Sequence, residues 1–125
     1  TKKVNKEELN NVEIILDGHQ NMDKYVKEEV SCIVFNLGYL PRAKHQIITK
    51  ADTTLEAIKK GLELLKPNGV MSIAIYSGHE GGMEEKNEVY KYTETLDQNY
   101  FNVLCTKFIN QINNPPELLL IEKKG

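Results

Sequence analysis

Two continuous apolar runs, residues 31–37 and 70–76, stand on either side of an amphipathic helical repeat. No other feature limits the fold as tightly. A run apolar on both faces reads as a strand buried within a sheet, the pattern of parallel strands covered by helices. Between the two runs, Leu55, Ile58, Leu62 and Leu65 recur at spacings of three and four, which makes one stripe of a helix. Thr53 or Asp52 suits its N-cap, Glu56 completes a capping box with Thr53, and Lys66 followed by Pro67-Asn68-Gly69 predicts its end.

The same grammar continues on both sides. Apolar residues at 12, 14 and 16 predict a strand over 12–17, closed by Gly18-His19-Gln20-Asn21, with a short helix over 22–27. Residues 84–96 read as a helix with Val89 and Leu96 facing inward, 101–109 as a strand, and 117–123 as a last strand. The turn between these last two strands, roughly seven residues, is too short for a parallel crossover, so they must pair antiparallel. Residues 3–9 read as the end of a helix with no start signal and no initiator Met, which predicts a piece of a longer protein. The expected fold class is therefore α/β, a mostly parallel sheet ending in an antiparallel hairpin.

Composition sets the outer limits. With 125 residues, 40% hydrophobic and 27% charged, the chain suits one globular domain over 1–125. A net charge of −2 argues against gripping nucleic acid by bulk positive charge, while allowing a local basic patch. No apolar run approaches the roughly 18 residues of a membrane span, and the N-terminus lacks the apolar stretch of a signal peptide. Cys32 and Cys105 sit in apolar runs and predict buried thiols of a cytoplasmic protein. Neither they nor the three His show zinc-ligand spacing, so no metal is expected.

In open parallel sheets, ligands bind beyond the carboxyl ends of the strands. The residues that follow the predicted strands are Asp17-Gly18-His19-Gln20, then Asn36-Leu37-Gly38-Tyr39-Leu40-Pro41, then Tyr76-Ser77-Gly78-His79. All three polar clusters fall at one edge. Arg42, Lys44, His45 and Lys50 form a basic stretch with no acid from Pro41 to Ala51, which suits the phosphates of an RNA. There is no GxxxxGK[ST], no GxSxG and no GxGxxG.

Leu62-Glu63-Leu64-Leu65-Lys66-Pro67-Asn68-Gly69-Val70 resembles the helix-turn-strand of Rossmann-fold S-adenosylmethionine methyltransferases. Asn36-Leu37-Gly38-Tyr39 resembles the Asn-Pro-Pro-Tyr motif of their amino-methylating members. Together with Thr53-Thr54-Leu55, Tyr76-Ser77-Gly78-His79-Glu80-Gly81-Gly82 and Asn114-Pro115-Pro116-Glu117, these segments resemble the small bacterial rRNA methylase family. Its members methylate the aminomethyl group of 5-aminomethyl-2-thiouridine at the tRNA wobble position. The chain departs from the family at Arg42-Ala43-Lys44-His45, where a Gly-rich stretch is usual, and lacks the family's first two strands.

The resemblance implies a Rossmann-like methyltransferase domain, N-terminally truncated to the C-terminal two-thirds of the fold. It implies S-adenosylmethionine as cofactor and tRNA as partner. Asn36, Leu37 and Tyr39 would be catalytic, the first two accepting hydrogen bonds from the amine and Tyr39 stacking on the base. Asp17, Gly18, His19 and Gln20 would hold adenine. Pro41, Arg42, Lys44, Tyr76 and His79 would line the substrate side. Without the upstream strands the polypeptide is expected to be inactive and to self-associate, as a homodimer for example, through an open strand edge. The alternative is a non-catalytic nucleotide- or RNA-binding module derived from a methyltransferase.

Overall fold

A computed structural model describes residues 11–37, 51–78 and 81–125. In chain order it contains a 3-10 helix at His19–Lys24, β1 at Val30–Leu37, α1 at Ala51–Leu64, β2 at Leu65–Ile75, α2 at Gly82–Thr93, β3 at Phe101–Lys107 and β4 at Glu117–Lys123. The four strands form one mixed sheet in the order β1-β2-β4-β3. The β1–β2 pair is parallel, joined through α1, while β2–β4 and β3–β4 are antiparallel. The hairpin expected from the short turn is β3–β4.

Strand alternation decides what the sheet buries. Phe35 and Leu37 of β1, Met71, Ile73 and Ile75 of β2, and Leu119 and Ile121 of β4 point to one face. There they meet Ala57, Ile58 and Leu62 of α1 and Val89 of α2 in a single core. Each large member contributes roughly 1.5–3 kcal/mol relative to exposure. Both described helices thus lie on the same face. The other face carries Val34, Asn36, Ser72, Ala74, Leu118 and Leu120, and Val34 remains 71% exposed.

Helix α1 lies close against the sheet at Gly61, where a Cβ would come within 2.6 Å of Met71 Cε and 3.3 Å of Ile33 Cδ1. The junction of α1 and β2 is held from β4, the neighbour of β2. Lys123 Nζ donates to Leu62 O at 3.0 Å and to Leu65 O at 2.9 Å. Where a turn is expected at Pro67-Asn68-Gly69, the chain instead passes straight from α1 into β2, and these residues form an irregularity inside the strand. Asn68 is left-handed with φ 68°, and the β1–β2 register breaks between Val30↔Leu65 and Cys32↔Val70.

Several expectations need correction. Residues 12–17 form no strand, because among the described residues nothing pairs with them, and a strand without a hydrogen-bonded neighbour has no ladder to join. The helix expected at 22–27 is a 3-10 helix displaced to His19–Lys24. β1 is an edge of the described sheet rather than a central strand, so only Phe35 and Leu37 of it are fully buried. Cys32 and Cys105 are free and exposed. Cys32 is on the face without a described helix, and Cys105 is on the outer strand β3.

Candidate functional site

Parallel pairing brings the ends of β1 and β2 level. Leu37 pairs with Ile75, Ile75 with Glu117, and Glu117 with Lys107, so one row of the sheet crosses all four strands at the carboxyl edge of β1 and β2. Asn36 stands one residue before this row, opposite Ala74, exposed on the face that lacks a described helix. Leu37 is buried in the core. Tyr76 and Ser77 continue past the row, Tyr76 at 42% exposure and Ser77 buried. Asn36, Leu37 and Tyr76 therefore stand at one strand edge, with the Leu37 side chain turned into the core.

The Asp17–Gln20 turn is built by its own carboxylate. Asp17 Oδ1 accepts from the Gly18 N–H at 2.7 Å and from Asn21 Nδ2 at 2.9 Å, while Oδ2 accepts from the Tyr25 hydroxyl at 2.5 Å. The Tyr25 bond, then Asn21 and Gly18, lower the Asp17 pKa to about 2, so the group stays ionised at neutral pH. Lys60 of α1 pins the turn by donating to Gln20 O at 2.6 Å and pairing with Asp23 at 3.2 Å. The His19 ring packs edge-on against Phe35 with centroids 5.7 Å apart. This places the turn beside the last residues of β1, on the helix-covered face, whereas Asn36 opens on the opposite one.

A buried polar pair lies under this edge. Thr54 of α1 and Glu85 of α2 are 0% and 1% exposed, and Thr54 Oγ1 donates to Glu85 Oε2 at 2.7 Å. Burial lowers the His19 pKa, and the negative charge of Glu85 works in the opposite direction. Sequence reasoning missed Glu85. The signal was available, because Glu85 stands four residues before Val89, on the buried stripe of α2 that also carries Gly82 and Thr93. Gly81 precedes α2 with φ 79°, a conformation that costs any residue with a Cβ.

The far end of the row carries a second polar group. Glu117, 9% exposed, accepts from the Tyr90 hydroxyl at 2.9 Å and pairs with Lys86. Burial opposes its charge, but Lys86, Tyr90 and Lys107 together hold the carboxyl below its ordinary value. Tyr90 also contacts Cys105 Sγ at 3.0 Å, and burial, followed by these two partners, pushes its hydroxyl pKa up.

Tyr39, Pro41, Arg42, Lys44 and His79 lie outside the described residues. Among the described residues, no cluster of three or more His, Cys, Asp or Glu is arranged to hold a metal ion, and no helix is long and apolar enough to cross a membrane. The Asp17–Gln20 turn is polar and open to solvent at its carboxylate. It offers an exposed, ionised acceptor whose three bonds leave one lone-pair site, next to the first N–H groups of a 3-10 helix, which have no partner within the helix.

A family model described as "Putative rRNA methylase" matches residues 1–122. Among curated proteins, the chain is 39% identical over 110 residues to the chloroplastic tRNA (mnm(5)s(2)U34)-methyltransferase of Arabidopsis thaliana. That match spans 85% of this chain but 39% of the relative's length. Among solved structures, a "putative rRNA-methylase" from Clostridium thermocellum superposes with a TM-score of 0.94 at 47% identity, covering 98% of this chain and 67% of that one. A "putative methyltransferase" from Streptococcus mutans, solved in complex with SAH, superposes with a TM-score of 0.90 at 46% identity, covering 98% and 66%.

Proposed function

The chain belongs to the rRNA methylase family, and from that premise we propose that it acts within an S-adenosylmethionine-dependent methyltransferase whose substrate is an amine on RNA. The proposed group is the aminomethyl substituent of the wobble 5-aminomethyl-2-thiouridine of tRNA. The Arabidopsis relative, named for methylation at that nucleoside, supports the choice. The S. mutans relative, solved with SAH, supports the cofactor.

One observation carries the reading. An exposed Asn36 stands one residue before the end of β1, and its neighbour Phe35 is the residue on which His19 of the turn packs. The proposed amine acceptor and the proposed adenine site thus flank one strand end from its two faces, and ligands of open parallel sheets bind at such an edge.

When bound, S-adenosylmethionine supplies an electrophilic methyl group on a sulfonium. The residues of this chain then have two tasks, binding and aiming. Asp17, with the backbone of Gly18, His19 and Gln20, holds the adenine. The Asn36 side-chain oxygen and the Leu37 carbonyl accept hydrogen bonds from the amine and point its lone pair toward the methyl group. Such alignment accounts for much of the rate in a displacement of this kind, provided the amine is neutral and partly desolvated. Tyr39 stacks on the base, and Pro41, Arg42, Lys44, Tyr76 and His79 lie along the substrate side.

The test is methyl transfer by the whole enzyme from labelled S-adenosylmethionine to tRNA that carries the aminomethyl group, with tRNA lacking it and ribosomal RNA as controls. Label on the modified tRNA alone is the expected result. Equal label on both, or label on ribosomal RNA only, sinks the assignment.

A further inference from the structure

At the end of the row shared by all four strands, a cleft of about 330 Å³ opens between the start of α2 and the β3–β4 hairpin. Lys86, Lys107, Phe108, Gln111, Asn114 and Glu117 line it. It adjoins the third strand-end cluster through Ser77, which lines it too, and reaches from there to the hairpin. Two ammonium groups surround a single carboxylate here, which leaves one positive charge in excess. Phe108 is 61% exposed and Ile112 80%, so the mouth presents a bare ring beside that charge. Asn113 and Asn114 both adopt left-handed backbone, with φ 65° and 54°, and Asn114 lines the cleft.

A cation excess, an open aromatic face and two amides together suit a nucleotide: phosphate for the lysines, a base for the ring, base edges for the amides. The spacing fits as well. Glu117 and Lys107 are two and three strands from Leu37 along the row, roughly 10 and 14 Å at the usual strand separation. A strand of a few nucleotides covers that distance.

We propose that this cleft binds a nucleotide of the RNA substrate near the methylated one, its phosphate between Lys86 and Lys107 and its base on the Phe108 ring. The site rests on the RNA reading given above and extends it, since it makes this hairpin a part of the RNA-binding surface. Glu117 keeps Lys86 in place and limits the cleft to a single phosphate charge.

The experiment measures binding of a synthetic anticodon stem-loop, carrying the aminomethyl nucleoside, across a salt series. Lys107→Ala should weaken binding and reduce the salt slope by about 0.7, the value for one single-strand phosphate contact. Lys107→Arg should restore it. Phe108→Ala should weaken binding by about 5- to 150-fold with the slope unchanged, the range found for one base on an aromatic ring. A wild-type chain that binds the RNA while both Ala variants match it in affinity and slope overturns the proposal and leaves the family reading standing. A wild-type chain that binds no RNA overturns both. If Phe108→Ala alters sedimentation but not RNA affinity, the cleft is a contact between copies of the chain and the proposal fails.

Discussion

Replacing Thr54 with Val removes one hydroxyl and keeps the volume nearly constant. That hydroxyl is the donor to Glu85 Oε2 at 2.7 Å, with both residues at or below 1% exposure. Water cannot replace the lost donor without opening the packing between α1 and α2. A hydrogen bond to a charged group contributes about 1.5–3 kcal/mol, and a buried acceptor left without its donor costs a similar amount. We therefore expect Thr54→Val to destabilise the chain by about 2 kcal/mol. With a urea m-value of about 2 kcal/mol per M, the unfolding midpoint should fall by roughly 1 M at unchanged slope. Thr54→Ser keeps the donor and loses a methyl group, which should cost only about 1 kcal/mol. Urea unfolding followed by circular dichroism measures both variants. If Val proves no more costly than Ser, the hydroxyl does not hold the buried carboxylate and the reasoning is refuted.

Four further outcomes are expected. Glu85→Gln removes the charge that raises the His19 pKa, so His19 should titrate lower still by proton NMR. Because the folded-state pKa of His19 already lies below 6.5, its contribution to stability is present above that value and lost as pH falls below it. Tyr25→Phe should move Asp17 up from about 2 toward 3.8; the stability this carboxylate contributes is present above pH 4 and lost as pH falls toward 2, and a carboxyl-carbon titration should show the window narrow in the variant. Lys123→Met should cost about 1–2 kcal/mol in urea unfolding, since the Leu62 and Leu65 carbonyls at the α1–β2 junction lose a shared cationic donor. Asn36→Ala should slow methyl transfer by the whole enzyme about 30- to 1000-fold, equivalent to roughly 2–4 kcal/mol, with cofactor affinity unchanged; near-normal turnover would remove Asn36 from the mechanism.

The sequence alone determined what depends on local period and loop length. Alternation and apolar runs located β1, β2 and β4, the spacing of Leu55, Ile58 and Leu62 located α1, and the short turn after residue 109 required an antiparallel hairpin. It also predicted that Asn36 and Tyr76 would meet at one edge, because two strands joined through a helix run parallel and end level. What depends on the partner was decided only in three dimensions. The alternation at 12–17 is that of a strand, yet pairing needs a neighbour that no described residue supplies. The apolar run at 31–37 suits a central strand, but its place at the edge of the described sheet leaves Val34 and Cys32 exposed. Glu85 and Thr54 are 31 residues apart in the chain, and Lys86 and Lys107 reach Glu117 from different elements. A period reports which face a side chain occupies; which group it meets there is fixed by the packing of α1 and α2 on one face of the sheet.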